Sequence, residues 1–363
     1  MAYFDHNAST PSSPEVREAV AAALCDYGNP SSVHSAGRAA RNRVEEAREE
    51  VAALVGTRAE NVIFTSGATE ANNQALRCSG RPKVIASAIE HPSVLEVSSE
   101  AARIPVSADG VADLDALSEM LKQQGHFVVV SVMAANNESG VIQPVKGAAE
   151  RAHAAGALFH CDAVQAMGRI PFDMQRLGAD MATISAHKLG GPKGVGALVL
   201  ADGMETETFT RGGGQERKRR GGTENVPGIA GFGVAARETR ERRLSIGWVA
   251  NLIGILERRA EAVVPEAIIL GKNVPRIANT SLIALPGVDA ETQIMALDLA
   301  GISVSAGAAC SSGKVGESHV LGAMGVEKEL GRCAIRISLG FENTVEEVDK
   351  FVEIWSGLKK KAS

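Results

Sequence analysis

The sequence has few aromatic residues and little net charge, and the low net charge excludes two classes of partner. Aromatic side chains make up 4% of the 363 residues, and 38 basic against 43 acidic side chains leave a formal net charge of −5. A protein that collects nucleic acid or lies on an anionic membrane carries a basic excess, which is missing here. We therefore expect neither nucleic acid nor a membrane among its partners.

Long apolar runs and paired cysteines are also missing. The longest apolar run, residues 127–135, is about half of the roughly 20 residues that cross a bilayer. The five cysteines are widely spaced and include no C-x-x-C, which argues against a disulfide framework, and no cluster has zinc spacing. The opening MAYFDHNAST has no basic n-region, so we expect no secretory signal and a cytoplasmic location.

Strand and helix patterns alternate along the first two thirds of the chain. Residues 14–55 are helical in pattern, with a break at 28–30 and a stop at Gly56. The apolar runs NVIFTSG, VIASAIE, FVVVSVMAA, ALFHCDA and MATISA each end in a turn, and most precede a helical pattern. This alternation predicts an α/β fold, with a mostly parallel sheet whose chemistry lies at the carboxyl ends of the strands.

The pattern changes after the glycine-rich turns of residues 211–222. A helical stretch leads into the shorter strand runs ANTSLIAL, ISVSAG and AIRISLG, and a final helix follows. We predict a large domain over 15–244 and a smaller α+β domain formed by 1–14 with 245–363. The segment GFGVAA fits G-x-G-x-x-A but lacks a preceding strand, so close helix packing explains it better than a dinucleotide site.

A lysine follows an apolar strand in the segment MATISAHKLGGPKGVGALVL. Lys188 stands shortly after Ser185 and His187, so its amine would leave a buried strand end and enter a cavity. Burial lowers the pKa of a lysine, and a neutral amine can form a Schiff base with an aldehyde cofactor. A surface lysine is the alternative for any single lysine in such a place.

Two further strand-end segments favour pyridoxal phosphate as that cofactor. In HCDAVQAMG, Asp162 can hold the pyridine nitrogen and Gln165 can donate to the phenolic oxygen. In TSGATEANN, residues 66–69 join a strand to a helix whose free amides can bind phosphate, and Ser185 and His187 would complete that site. Asp162 alone could be a helix cap, but the three segments together describe one cofactor.

EHPSV and NNESG follow two other apolar strands. His91 could stack on the pyridine ring and move protons, and one amide of the Asn136-Asn137 pair could reach the cofactor or the substrate. A buried, satisfied histidine and a polar turn are the alternative interpretations.

SAGAACSSGK places Cys310 among small residues between a strand and a helix. A cysteine beside hydroxyls and Lys314 is typical of a reactive thiolate, whereas structural cysteines such as Cys333 lie in apolar runs. In AIRISLG, Arg336 could clamp a substrate carboxylate, on the opposite face from the two flanking isoleucines. A surface arginine on a strand is the alternative.

Taken in their order along the chain, these segments resemble those of the cysteine desulfurases of the NifS/IscS type, within the class V aminotransferase group of fold-type I pyridoxal-phosphate enzymes. The matching segments are FDHNAST, SGATEANN, EHPSV, NNESGVIQP, HCDAVQAMG, SAHKLGGPKGVGAL, GGGQERKRRGGTENV, ANTSL, SAGAACSSG and RISLG. The resemblance implies a large domain with a mostly parallel seven-stranded sheet and a smaller α+β domain. It also implies conversion of L-cysteine to L-alanine, with the sulfur left as a persulfide on Cys310.

The resemblance further assigns roles to single residues. Lys188 would hold the cofactor, His91 would act as acid and base over its ring, and Cys310 would be the nucleophile. Arg336 and Asn136 would bind the substrate. The expected cofactor-binding residues are Ala68, Thr69, His91, Asn136, Asp162, Gln165, Ser185, His187, Lys188 and, across a dimer interface, Thr223.

The implied partners are L-cysteine, a second copy of the chain and a sulfur acceptor such as an iron–sulfur scaffold protein. No resident metal is expected, although Cys310 could be a transient iron–sulfur ligand. A selenocysteine lyase, a class V transaminase and an inactive scaffold subunit are the competing functions. Cys310 argues against a transaminase, and Lys188 with Asp162 argues against an inactive subunit.

Overall fold

The computed structural model describes residues 1–97, 101–124, 126–242, 246–307 and 317–362. The strands in these ranges are β1 (Ala2–Tyr3), β2 (Val62–Thr65), β3 (Lys83–Ser87), β4 (Ala102–Ile104), β5 (Val128–Ser131), β6 (Leu158–Asp162), β7 (Met181–Ser185), β8 (Gly196–Leu200), β9 (Ile268–Leu270), β10 (Thr280–Ala284), β11 (Ile302–Ser303), β12 (Ser305–Ala306) and β13 (Ala334–Ser338). The helices are α1 (Pro14–Leu24), α2 (Ser35–Val55), α3 (Ala68–Arg77), α4 (Pro92–Leu95), α5 (Leu114–Gln124), α6 (Val145–Ala154), α7 (Met174–Leu177), α8 (Val226–Glu241), α9 (Ile246–Val263), α10 (Ala290–Leu299), α11 (His319–Ala323), α12 (Lys328–Gly331) and α13 (Val345–Ala362). None of these helices is both long and apolar enough to cross a membrane.

The large sheet has seven strands in the order β2-β8-β7-β6-β5-β3-β4. Neighbouring strands from β7 to β4 pair in parallel, whereas β8 runs antiparallel to both β2 and β7. All residues of β5 and β7 are buried, as continuous apolar runs in a covered parallel sheet should be. The predicted α/β fold with a mostly parallel seven-stranded sheet is confirmed.

The two helices predicted near the start of the chain are confirmed. Proline opens α1, and the Ser13 hydroxyl caps it by accepting from the backbone nitrogen of Val16. Helix α2 ends at Gly56, whose φ of 76° is left-handed and suits glycine. The break between α1 and α2 falls where the Gly-Asn-Pro sequence predicts it.

Two glycines allow α8 to lie close to the first two helices. A Cβ atom on Gly231 would meet the Val20 side chain at 2.6 Å, and one on Gly233 would lie 2.6 Å from the Ala47 Cα. Real Cβ atoms do not approach that closely, so a larger residue would push the helices apart. The interpretation of GFGVAA as a helix-packing segment is confirmed.

A smaller antiparallel sheet, in the order β12-β13-β10-β9, follows later in the chain. It shares a hydrophobic core with α9 and α13, in which Phe351 and Trp355 are fully buried. The N-terminal Phe4 belongs to the same core, because β1 pairs in parallel with β11. The two ends of the chain thus pack together, while the domain boundary near residue 244 stays a prediction.

Three consecutive non-glycine residues, Glu216, Arg217 and Lys218, adopt left-handed φ angles of 45°, 56° and 69°. A buried ion pair holds this segment, because Arg48 donates to both carboxylate oxygens of Glu216 at 2.7 and 3.0 Å. The same carboxylate accepts from the backbone nitrogen of Phe64 at 3.0 Å. Left-handed backbone is strained for residues with a Cβ atom, so these contacts must offset that strain.

We expect Lys218→Gly to raise the free energy of unfolding by about 0.5–1 kcal/mol, because glycine accepts a positive φ without the steric cost of a Cβ atom. Lys218 is exposed, so little packing is lost. Urea unfolding of both proteins measures the change. Lys218→Ala keeps the Cβ atom and is the matched control; an equal gain from alanine would contradict the strain argument.

Candidate active site

A cavity of about 650 Å³ lies at the carboxyl ends of the parallel strands, where the fold predicts the chemistry. It brings together segments that are far apart in the sequence. The residues expected from the sequence that line it are Ala68, Thr69, His91, Asp162, Gln165, Ser185, His187, Lys188 and Arg336. Cys310 lies outside the described residues.

Lys188 ends a single 3₁₀ turn, Ala186–Lys188, that directly follows β7. Its Nζ donates to the backbone oxygens of Asn7 at 2.6 Å and Ala8 at 2.9 Å. The amine therefore stands at the cavity wall, against a segment from the start of the chain. The prediction that this lysine enters a cavity, and not the open surface, is confirmed.

Asp162, the last residue of β6, presents a carboxylate to the cavity and is only 6% exposed. One of its oxygens accepts from the Asn72 amide at 2.8 Å, and the other accepts from the backbone nitrogen of Val164 at 3.0 Å. These two bonds fix the orientation of the carboxylate. An anion held at this position could face a protonated ring nitrogen.

His91 caps the short helix α4, and its ring lines the cavity. Its Nδ1 accepts from the backbone nitrogen of Ser93 at 3.1 Å, so the neutral ring carries its proton on Nε2. Burial lowers the pKa of His91; the charge of Asp162 acts in the opposite sense, and that of Lys188 lowers it further. The ring is therefore neutral at physiological pH and can accept one further proton.

One end of the cavity has features of a phosphate site. Ala68 and Thr69 begin α3, where backbone amides lack partners within the helix. His187 is kept neutral, because burial and the charges of Lys188 and Lys193 lower its pKa to about 4. The buried Nδ1 of His187 has no hydrogen-bond partner in the described part of the chain. A ligand oxygen or hydroxyl at this end would supply one.

Arg336, in the middle of β13, is 2% exposed, so the alternative of a surface arginine is wrong. Its Nη2 donates to Asp5 at 2.8 Å and its Nη1 to the Asn137 backbone oxygen at 2.9 Å. Its Nε is buried and has no partner among the described residues. The flanking isoleucines belong to the small core, so the predicted direction of this side chain is confirmed.

Asn136 does not line the cavity, and the expectation that it contacts the cofactor or substrate is corrected. It is fully buried, and its Oδ1 accepts from the backbone nitrogens of Glu138 and Ser139, both at 2.9 Å. Its Nδ2 donates to the Ile89 backbone oxygen at 3.0 Å. The polar atoms of Asn136 therefore hold the turn together, and the neighbouring Asn137 lines the cavity instead.

Further polar residues that were not assigned a role from the sequence also line the cavity, among them Asn7, Asn137 and Lys193. Asn137 is the second residue of the Asn-Asn pair, and Lys193 follows the glycines after Lys188, so both were within the recognised segments. Asn7 arrives from the N terminus. Its carbonyl accepts from Lys188, and its side chain donates to Thr280 of the small sheet at 2.9 Å.

Thr223 does not line the large cavity. It is exposed and lines an adjoining space of about 150 Å³ that shares Ser66 and Gly194 with the large one. This position is next to the phosphate end but on its outer side. A role toward the cavity of the same chain is therefore not supported, whereas the predicted role toward a second subunit stays a prediction.

Glu138 is a buried carboxylate between the site and α11. The Ser318 hydroxyl donates to it at 2.6 Å, and a Cβ atom on Gly307 would lie 3.3 Å from the same oxygen. Burial raises the pKa of Glu138 to about 7, although Ser318 and the charge of Arg336 act in the opposite sense. The native protein therefore binds this proton more tightly than the unfolded chain, whose glutamate has its ordinary pKa.

Because of this raised pKa, Glu138 should make the wild-type protein lose stability as the pH rises from about 4.5 to about 7. We expect Glu138→Gln to remove roughly 2–3 kcal/mol of that pH-dependent loss, since glutamine keeps an oxygen for Ser318 and does not ionise. Urea unfolding at pH 5 and pH 8 checks the prediction. The exposed Glu119→Gln is the control, and parallel pH curves for Glu138→Gln and wild type would refute it.

The donor set of the cavity fits pyridoxal phosphate. Among the described residues, no group of three or more His, Cys, Asp or Glu side chains could hold a metal ion. The cavity presents the amines of Lys188 and Lys193, the fixed carboxylate of Asp162 and the neutral imidazole of His91. In the described part of the chain, one nitrogen of His187 and one of Arg336 have no partner. An aldehyde, a ring nitrogen, a phosphate and a substrate carboxylate are the groups that these side chains would bind.

Comparisons with known proteins agree with this geometry. The Aminotransferase class-V family model matches residues 2–351. A cysteine desulfurase of Cereibacter sphaeroides is 42% identical over 97% of this chain and 94% of its own length. The cysteine desulfurase IscS of Dictyoglomus turgidum is 38% identical over 97% of this chain and 93% of its own length. A solved NifS-like protein from Rickettsia africae aligns with a TM-score of 0.92 at 37% identity and covers 99% of both chains.

Proposed function

The chain belongs to the class-V aminotransferase family and is a pyridoxal-phosphate-dependent cysteine desulfurase, and we propose that Lys188, His91 and Cys310 carry its chemistry. The observation that supports these assignments is the convergence of Lys188, Asp162 and His91 on one cavity, with Arg336 in the same wall. The substrate is L-cysteine, and the products are L-alanine and a sulfur atom. A selenocysteine lyase and a class V transaminase are the competing functions, and the experiment below separates them.

The described residues divide into those that would hold the cofactor and those that would hold the substrate. Lys188 would bind the aldehyde carbon, Asp162 the ring nitrogen and Gln165 the phenolic oxygen. Ala68, Thr69, Ser185 and His187 would bind the phosphate. When bound, pyridoxal phosphate supplies an electron sink for the charge that develops on the amino acid.

The protein provides the proton transfers and the orientation. His91 is neutral, so one ring nitrogen carries a lone pair. It would accept a proton from the substrate, pass through the imidazolium form and return the proton to a reacting carbon atom. Arg336 is held rigidly by Asp5 and Asn137, and a substrate carboxylate would give its buried Nε the missing acceptor.

Cys310 is the proposed sulfur acceptor. Its thiolate attacks the substrate sulfur, the carbon–sulfur bond breaks, and the bonding electrons stay with the carbon fragment that becomes alanine after protonation. Cys310 then carries a persulfide, which a second thiol can remove. We propose transfer to an acceptor such as an iron–sulfur scaffold protein, a proposal supported by the likeness to the IscS of Dictyoglomus turgidum.

The experiment is a product assay with L-cysteine as the only substrate. We expect one alanine for each sulfur released, with dithiothreitol as the sulfur acceptor. A requirement for a keto acid would indicate a transaminase. A strong preference for selenocysteine, with persistent activity in Cys310→Ser, would indicate a lyase. Fractionation of cells that express the tagged protein tests the proposed cytoplasmic location.

We propose a homodimer in which Thr223 reaches the phosphate site of the second subunit. The support is its exposed position beside the phosphate end of its own cavity. Sedimentation should give a dimer at micromolar concentration, and Thr223→Ala should weaken cofactor binding about tenfold, the loss of one hydrogen bond to a charged group. Thr292→Ala, at an exposed position on α10, is the control. An active monomer with full cofactor content would contradict the proposal.

A further inference from the structure

Arg169 contacts Gln165 but does not line the active-site cavity. Gln165 lines that cavity, whereas Arg169 lines a neighbouring space of about 100 Å³, and Lys188 lines both. The guanidinium donates to the side-chain oxygen of Gln165, to its backbone oxygen at 3.3 Å and to the backbone oxygen of His6 at 3.2 Å. In the described part of the chain, these recorded partners are all uncharged oxygens.

A guanidinium has only donors, and this fixes which end of the Gln165 amide faces it. Burial and the charge of Arg336 lower the pKa of Arg169 to about 9, so Arg169 keeps its charge at neutral pH. The Gln165 oxygen must therefore face Arg169, because a flipped amide would place two N–H groups against a cation. The amide nitrogen then lies on the other side of the Gln165 side chain.

The nitrogen end of the amide is fixed by a second contact. Gln165 Nε2 donates to the backbone oxygen of Asn7 at 3.1 Å, the same oxygen that accepts from Lys188. One of its two N–H groups is used there, which leaves the other for a ligand in the cavity. Arg169 and Asn7 thus determine the same orientation from opposite ends of one amide.

We propose that Arg169 is a positioning residue that keeps Gln165 oriented as a hydrogen-bond donor toward an acceptor oxygen of the bound ligand. The inference rests on the proposed function, in which that acceptor is the phenolic oxygen of pyridoxal phosphate. Arg169 does not line the ligand cavity and acts through Gln165. The forked guanidinium suits this position because it reaches Gln165 and His6 together.

The experiment is an absorbance titration of the holoenzyme against pH, in the visible band near ~420 nm that the covalently bound cofactor gives. A donor to the phenolic oxygen stabilises the more negative, deprotonated form and so lowers the midpoint of the titration. We expect Gln165→Leu and Arg169→Met each to raise the midpoint by about one pH unit, a tenfold change in proton affinity. The double variant should show no further rise, and Arg169→Lys should restore most of the wild-type value.

Each outcome bears on the proposal. An unchanged midpoint in Arg169→Met would overturn it, and so would additive shifts in the double variant, because Arg169 would then act through its own charge. If Arg169→Met does not fold, Arg169→Gln takes its place, since a glutamine can offer either end of its amide to Gln165. A wild-type protein without any visible band would overturn the proposed function first, whereas a normal band with an unmoved midpoint overturns this proposal alone.

Discussion

Lys188→Ala should lose L-cysteine desulfurase turnover by at least about 10³-fold, the scale of losing a covalent or acid–base group. The amine stands at the cavity wall and is directed by the carbonyls of Asn7 and Ala8. The variant should still bind pyridoxal phosphate, because Asp162 and the residues at the phosphate end remain. Absorbance after gel filtration measures bound cofactor, and alanine release measures turnover.

Chemical trapping makes this prediction specific to one lysine. Borohydride treatment of the wild-type holoenzyme should fix the cofactor to the peptide that contains Lys188. Lys122→Ala is the matched control, because Lys122 is exposed and pairs with the exposed Glu119. That control should keep wild-type turnover and labelling. Cofactor trapped on a different lysine, or normal turnover in Lys188→Ala, would refute the assignment.

Local signals in the sequence were sufficient to predict the helix ends and the buried strands. Pro14 and Gly56 mark real helix ends, and the mainly apolar runs that contain β5 and β7 are real buried strands. Strand β8, within the segment after Lys188, is also apolar, but its antiparallel direction is set by pairing with β2 and β7. Such a direction depends on tertiary contacts and leaves no local signal. The short strands β1, β4 and β9 are two to three residues long and carry too little pattern to predict.

In the site too, the direction of a side chain could be predicted from the sequence only where a regular strand determines it. Alternation along a strand predicted the direction of Arg336 correctly, since its two isoleucine neighbours pack in the small core. Asn136 and Asn137 lie in a turn, where no such periodicity exists, and the structure exposes the second residue to the cavity. Asn7 could not be placed from its own segment, because its contacts with Lys188 and Thr280 join distant parts of the chain.

Four of the five cysteines can be excluded as the sulfur acceptor on structural grounds. None of Cys25, Cys78, Cys161 and Cys333, the cysteines in the described residues, lines the large cavity. Cys78, Cys161 and Cys333 are buried, and burial is the main cause that raises the pKa of Cys78 and Cys161, so few thiolates form there. Cys25 is exposed but follows α1, away from the strand ends. Cys310 is the cysteine left for this role.

Cys310→Ser should therefore separate substrate binding from sulfur removal. Binding of L-cysteine and the first proton transfers need Lys188, His91 and the cofactor, so the visible spectrum should still change when L-cysteine is added. Cleavage of the carbon–sulfur bond needs a thiolate to accept the sulfur, and serine cannot form a persulfide, so alanine release should fall by about 10³-fold or more. Cys25→Ser, which replaces an exposed cysteine, should keep wild-type values in both measurements. If Cys310→Ser kept most of its alanine release, no persulfide on Cys310 would be required, and a lyase in which the sulfur leaves without a protein nucleophile would explain the site better.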